Sequence, residues 1–408
     1  MFIHVGHANA KGWELSWPLV GGVGSLPAAP RVAFEDWYTD VDSYQPAPDA
    51  TADWCRSAAD AGMGYAVMVT QHHDGVANFA SDLPGRALSG GRDLVAEFCE
   101  SARANGLRIG LYLSLSDWGH PDYPAWDPSM APYNFIAYPR PDAVTWQRFV
   151  EQLAARITHL LTAYGQIDMI WFDGGWERSP DEWHATELEA LIRSLQPSIM
   201  INDRLPGAHA DFQTPEQLIP AEPPEGRFET CMTMNLSWGW VPEDDRYTTA
   251  TETIHLLGEI AGRGGNLLLN IGPGPDGHIV AEQRNILDEV TEWMAAHSSA
   301  IVGTRPGFEP WQWHGPSTCS PGPDGLELVH LICVMRPYRH VVVRGVHPRR
   351  LRSATVMGTG ATLSWTTRVS AIDEVFGGDP IGEIVLEIDE ADIDPHATVF
   401  TLSFEGSP

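Results

Sequence analysis

Apolar residues fall along this chain in two rhythms. Over the first three quarters, short unbroken apolar runs alternate with longer stretches of helical period. The runs cover 2–6, 65–70, 107–113, 168–173, 198–203, 228–234 and 266–271, and the helical stretches cover 51–62, 90–105, 142–164, 182–195, 249–262 and 280–297. An unbroken apolar run of strand length suits a strand covered on both faces. Strand followed by helix, repeated, implies a parallel sheet with helices outside it. Seven strands over about 300 residues predict a (β/α)8-like, TIM-type barrel with one strand unplaced. Past residue 303 the rhythm changes. Gly303-Thr304-Arg305-Pro306-Gly307 reads as a linker. Short alternating or β-branched runs follow at 326–334, 339–345, 353–357, 361–365, 383–388 and 397–404, which predict a small antiparallel β-sandwich. The expected division is a barrel over 1–302 and a sandwich over 303–408.

The run Met169-Ile170-Trp171-Phe172 ends in Asp173, and Gly174-Gly175 turns the chain away. The C-terminal end of a barrel strand is where this architecture places reactive groups, although an aspartate there could equally cap the following helix. The other strand ends carry His4, then Gln71-His72-His73-Asp74-Gly75, then Tyr112 and Ser114, then Asn202-Asp203-Arg204, and finally Trp238. In such a barrel they face one mouth. Histidine, arginine, carboxylates and aromatics together have the composition of a carbohydrate site, with rings for the apolar side of a sugar and charged groups for its hydroxyls. Each has a plainer reading. His72-His73 could suggest a metal, but neighbours on a strand point to opposite faces. Arg204 could form a structural salt bridge to Asp203 or Asp211. Trp13, Trp17, Trp37, Trp54, Trp118, Trp126 and Trp146 suit packing.

Composition narrows the classes. Of 408 residues 43% are hydrophobic, as expected of a globular chain, and the formal net charge of −29 argues against nucleic acid or an anionic membrane as partner. The five cysteines form no CxxC pair, so neither a zinc knuckle nor a disulfide framework is indicated. There is no apolar run of membrane length. No signal peptide is read at the start, which makes a cytoplasmic location the default expectation.

Six segments, in order, resemble the α-L-fucosidases of glycoside hydrolase family 29. They are Phe-Ile-His4-Val-Gly, Tyr-Ala-Val-Met-Val-Thr-Gln71-His72-His73-Asp74-Gly75, Gly-Leu-Tyr112-Leu-Ser-Leu-Ser-Asp-Trp118, Ile-Trp171-Phe-Asp173-Gly, Ile-Asn-Asp203-Arg204, and Gly265-Asn266-Leu-Leu-Leu-Asn270-Ile-Gly-Pro. Val5 stands where that family usually has Trp, and Gln71 where it has Lys. The resemblance implies an exo-acting retaining glycosidase on fucosylated oligosaccharides or glycoconjugates, needing neither metal nor organic cofactor. It implies Asp173 as nucleophile and Glu216, 12 residues after Arg204, as general acid/base, with Asp211, Glu222, Glu225 and Glu229 as alternatives. His4, Glu14, His72 and His73 would hold hydroxyls, and Arg204 would lie near the nucleophile. Trp17, Tyr112 and Trp171 would form walls, and Trp238 would meet the C5 methyl. Selectivity for α1,3/1,4 linkages is expected from Trp13-Glu14-Leu15-Ser16-Trp17-Pro18 and Thr214-Pro215-Glu216-Gln217. The alternatives are an α-L-galactosidase or transfucosylase on the same site, an inactive fucose-binding protein, and a metal-dependent hydrolase using His72-His73.

Overall fold

The computed structural model describes residues 1–21, 32–41, 44–87, 92–124, 133 and 139–408. Trp126 and the first two residues of the helix expected over 90–105 lie outside these. Packing divides the chain into two compact units. One comprises Met1–Gln217, Cys231–Tyr247 and Leu268–Arg284, and the other Leu218–Thr230, Thr248–Leu267 and Asn285–Pro408. Among the described residues no helix is long and apolar enough to cross a membrane.

The parallel strands are β1 (Phe2–Ile3), β2 (Tyr65–Gln71), β3 (Arg108–Ser114), β4 (Met169–Asp173), β5 (Met200–Ile201), β6 (Glu229–Met232) and β7 (Asn266–Ile271). Their order in the sheet is β5-β4-β3-β2-β1-β7-β6. β2, β3 and β4 are buried along nearly their whole length, as their apolar runs require. The longer helices are α1 (Ala50–Asp60), α2 (Leu94–Ala104), α3 (Ala143–Ala163), α4 (Ala185–Leu195), α5 (Ala250–Gly262) and α6 (Ala281–His297). Side chains start several of them. Asp93 accepts from Ala96 N, Asp142 accepts from Val144 N and Thr145 N, and Thr249 forms a capping box with Glu252. The single helix expected over 182–195 is two. A capping box at Ser179 begins a short helix at Pro180, and His184 breaks it with φ 52° before α4 starts.

The unplaced strand is the segment from Phe212 to Glu216. Phe212 bridges Asn202 beyond β5, and Glu216 bridges Cys231 in β6, both in parallel sense. Asp211 N donates to Ile201 O at 2.8 Å, Cys231 N to Pro215 O at 3.1 Å and Gln217 N to Cys231 O at 3.0 Å. This segment completes a (β/α)8-like ring as its eighth stave. Pro215 has no N–H to give a ladder, so the stave is held by isolated bridges and not by a regular strand.

The second unit carries the sandwich. Its strands are β8 (Arg305–Pro306), β9 (Ser317–Pro321), β10 (Leu326–Cys333), β11 (His340–Val346), β12 (Leu351–Val356), β13 (Trp365–Arg368), β14 (Gly382–Glu387) and β15 (Thr398–Glu405). They form two antiparallel sheets, β8-β9-β10-β15-β12 and β11-β14-β13. Alternate residues of β10 and β15, such as Leu331, Phe400 and Leu402, share one core with Val343, Ile384 and Leu386. The expected linker is partly an edge strand, since Arg305 and Pro306 pair with Cys319 and Thr318. The run expected at 361–365 contributes a bridge from Thr362 to Thr355 and the first residue of β13, whose pairing continues to Arg368.

Gly174 makes the turn after β4 possible. Its φ is +74°, and a Cβ there would lie 2.4 Å from Ser116 Oγ. Gly174→Ala is expected to cost about 1–3 kcal/mol, read as a lower urea midpoint with unchanged slope; an unchanged midpoint would contradict this account of the turn.

Candidate active site

Residues two apart on a strand share a face. Trp171 and Asp173 therefore point the same way from β4, as Tyr112 and Ser114 do from β3. The register sets Tyr112 level with Trp171, and Ser114 level with Asp173. The Tyr112 and Trp171 rings stack with centroids 5.7 Å apart. From β1, His4 follows Phe2 by two residues and extends the ladder through its own N–H to Ile271 O. Except for Ser114, these side chains, with Trp17, His72, Trp176, Arg204, Glu216 and Trp238, surround a cavity of about 280 Å³. That is close to the lower end of the ~300–1,000 Å³ common for ligand pockets, and suits one sugar ring.

Arg204 organises the polar side. Its Nη1 donates to Asp173 Oδ1 at 3.0 Å and its Nη2 to Glu216 Oε2 at 2.7 Å. Its Nε donates to Thr214 Oγ1 at 3.0 Å, and Thr214 Oγ1 donates in turn to Asp203 Oδ1. The guanidinium also lies 4.6 Å from the Trp171 ring centroid. Burial alone would push the Arg204 pKa down, but the charges of Asp173 and Glu216 outweigh it and push it up. Asp203 and Asp211 do not pair with Arg204. Asp203 holds Thr214, and Asp211 binds Arg193 at 2.8 Å. The second oxygen of Asp173 accepts from Tyr112 OH at 3.0 Å. The Asp173 side chain is 12% exposed and that of Glu216 39%, so one carboxylate lies deep and the other near the mouth.

Three histidines stand beside the pair. Burial lowers His4 to about 4 and His73 to about 3, and pulls His72 well below its ordinary value. At neutral pH they are uncharged imidazoles. His72 and His73 lie just past the end of β2, where strand alternation no longer applies, and their ring centroids are 4.1 Å apart. His73 Nε2 lies 3.7 Å from Asp173 Oδ2. Among the described residues no group of three or more His, Cys, Asp or Glu is arranged to hold a metal.

Glu14 is brought to this region but not to the cavity surface. It is 1% exposed, and its two oxygens accept from Trp238 N at 2.7 Å and Gly239 N at 3.0 Å. It thus holds the backbone that carries Trp238. Of the alternative acids, Asp211 is tied to Arg193, and Glu229 is buried within β6. Phe2, Leu15, Gln217 and Cys231 line the cavity without having been singled out by sequence. Trp176, which with Trp171 flanks Asp173 in the sequence, lines the cavity as well.

Burial raises Glu14 to about 7 from 4.5, against the opposing pull of the Trp238 and Gly239 N–H groups. Between these two pH values the folded chain keeps a proton that the unfolded chain has lost. Stability therefore falls as pH rises from about 4.5 to about 7, by on the order of 3 kcal/mol. Glu14→Gln removes that dependence. The Tm of wild type minus that of the variant should decrease over this window, and a difference independent of pH would refute the assignment.

The Alpha-L-fucosidase family profile matches residues 33–299. Tissue alpha-L-fucosidase of Mus musculus is 28% identical over 330 residues, which cover 75% of this chain and 70% of that one. The Homo sapiens protein of the same name is 27% identical over 337 residues, covering 76% and 69%. The solved structure of alpha-L-fucosidase isoenzyme 1 from Paenibacillus thiaminolyticus superposes with a TM-score of 0.84 at 31% identity, covering 99% of this chain and 96% of that one. An alpha-L-fucosidase of Bacteroides thetaiotaomicron, trapped as a covalent intermediate with 2-fluoro-fucosyl fluoride, shares the fold with a TM-score of 0.78 at 22% identity, covering 98% and 92%. With its barrel, its sandwich and its paired carboxylates, the chain belongs to the alpha-L-fucosidase family.

Proposed function

We propose that this cavity hydrolyses terminal α-L-fucosyl linkages with retention of configuration, with Asp173 as nucleophile and Glu216 as general acid/base. The observation that carries the reading is that these two carboxylates, on different staves, meet one guanidinium at 3.0 and 2.7 Å. Two neighbouring carboxylates are what double displacement requires. Asp173 attacks C1 as the bond from C1 to the leaving oxygen breaks, and Glu216 delivers a proton to that oxygen. Water then attacks C1 of the glycosyl-enzyme, Glu216 takes its proton, and the bond to Asp173 breaks. Arg204 and Tyr112 hold both oxygens of Asp173 before the sugar arrives, so little reorientation is needed. Glu216 is the more exposed carboxyl and so the one able to exchange its proton with solvent between the half-reactions.

The substrate class follows from the walls. Phe2 packs near Trp171 and Trp238, with centroids 5.1 and 5.9 Å apart, and forms an apolar corner that suits the C5 methyl of fucose. The hydroxymethyl of an L-galactoside would have to bury a hydroxyl there. The small volume favours a single terminal residue, with the rest of the glycan outside. The finer reading is a preference for α1,3/1,4 linkages in branched glycans.

Asp173→Asn should lower kcat on an aryl α-L-fucoside by about 10⁴-fold or more while leaving the thermal transition in place; near-normal turnover would remove Asp173 from the mechanism. Glu216→Ala should lose far more on an oligosaccharide than on an aryl fucoside with a good leaving group. Azide should restore turnover and give a fucosyl azide. Equal losses on both substrates without rescue would move the acid/base role to another residue. Comparing kcat/KM for an aryl fucoside and a Lewis-type trisaccharide tests the linkage preference, which fails if the trisaccharide is not cleaved.

A further inference from the structure

Neutral imidazoles are not interchangeable. Each has one N–H and one lone pair, and the partner at Nδ1 decides which of them Nε2 presents. The three histidines of this site have different partners at Nδ1.

His4 Nδ1 lies 2.6 Å from Asn270 Oδ1. The orientation of that amide is fixed, because Asn270 Nδ2 donates to Trp238 O at 2.8 Å. An amide oxygen can only accept, so the His4 proton is on Nδ1 and Nε2 carries a lone pair. His73 Nδ1 lies 2.6 Å from Ser114 Oγ. The single hydroxyl proton of Ser114 goes to the carbonyl oxygen of Ser116, also at 2.6 Å. Ser116 Oγ also lies 3.1 Å from His73 Nδ1 and can give its own proton to Ser114 Oγ at 3.2 Å, so the shorter contact puts the His73 proton on Nδ1 too, and its Nε2 is an acceptor. That Nε2 is buried without a hydrogen bond among the described residues, 3.7 Å from Asp173 Oδ2. Two acceptors at this spacing cannot bond to each other; Asp173 Oδ2 already accepts from Tyr112 OH, and His73 Nε2 keeps its lone pair beside it.

His72 is the opposite case. Its Nδ1 lies 2.5 Å from Ser16 Oγ. Ser16 is fully buried and accepts from Asp74 N at 3.1 Å. Among the described residues the acceptor its hydroxyl meets is His72 Nδ1. Ser16 therefore donates, and His72 carries its proton on Nε2.

We propose that Asn270, Ser114 and Ser16 are positioning residues that set these tautomers, so that the site offers a sugar two imidazole acceptors, at His4 and His73, and one imidazole donor, at His72. This rests on the reading of the cavity as a fucosyl site and adds a rule of selectivity to it. Hydroxyls that give their protons to His4 or His73 cannot be replaced by fluorine, which accepts but does not donate. A hydroxyl that receives from His72 can be. Behind His4 the chain of contacts continues through Asn270, the Trp238 peptide and Glu14, so the clamp on the Trp238 loop also orients an imidazole.

Neutron diffraction from crystals of the deuterated wild-type enzyme at neutral pH tests this directly. The expected result is deuterium on Nδ1 of His4 and His73 and on Nε2 of His72. Deuterium on Nε2 of His4 or His73, or on Nδ1 of His72, overturns the proposal, as does a doubly protonated ring. The second measurement is long-range proton–nitrogen NMR of histidine-labelled Asn270→Ala. The His4 signal should leave the Nδ1–H pattern while those of His72 and His73 stay, and KM for an aryl fucoside should rise about tenfold. An unchanged His4 pattern with raised KM would make Asn270 merely structural and overturn its assigned role. If the wild type fails to cleave any fucoside, the functional reading falls, but the proton positions remain a separate result.

Discussion

The site depends on one cation placed between two carboxyl groups. The Arg204 guanidinium ties Asp173 on β4 to Glu216 on the eighth stave and fixes their spacing. Its planar fork gives one nitrogen to each carboxylate, and its third nitrogen binds Thr214, which Asp203 holds in turn. Trp171 beneath it limits out-of-plane motion. A lysine would keep the charge but not this geometry.

The surroundings of this ion triad are polar but uncharged. Burial keeps His4, His72 and His73 neutral, so they add hydrogen-bonding capacity without competing with Arg204 for the carboxylates. Glu14 supports the same region from behind by accepting two backbone N–H groups, which keeps Trp238 against Phe2 and His4. Charge is thus concentrated where bonds would form and break, and the rest of the pocket recognises shape and hydrogen-bond direction.

Strands buried on both faces were the most legible part of the chain. Met169–Phe172 and Tyr65–Thr70 have no polar residue to hide their period, and Asp173 ends its run sharply. The helices were legible through their apolar stripes, except where His184 adopts a left-handed conformation that no periodicity signals. The strands that went unseen are polar. Ser317–Pro321 buries Thr318 by bonding its hydroxyl to Ala300 O, and Gln213-Thr214-Pro215 interrupts the stave that bears Glu216. The strand-end histidines, Arg204 and Glu216 could be found from spacing and resemblance. The backbone clamp at Glu14 could not, because its partners are more than 220 positions away and are main-chain groups that carry no sequence signature.

The eighth stave also bears on how such a site can change over evolutionary time. Asp173 is built into a continuous hydrogen-bonded ladder, and shifting it by one residue would turn Trp171 and Tyr112 out of register. Glu216 rides on a proline-interrupted segment laced to its neighbours at two points. Insertions or deletions there can relocate the Glu216 carboxyl without re-laying the barrel. The fold therefore makes Asp173 hard to move and Glu216 easy to move, so under the proposed roles one half of the chemistry can stay constant while the other adapts to new glycans.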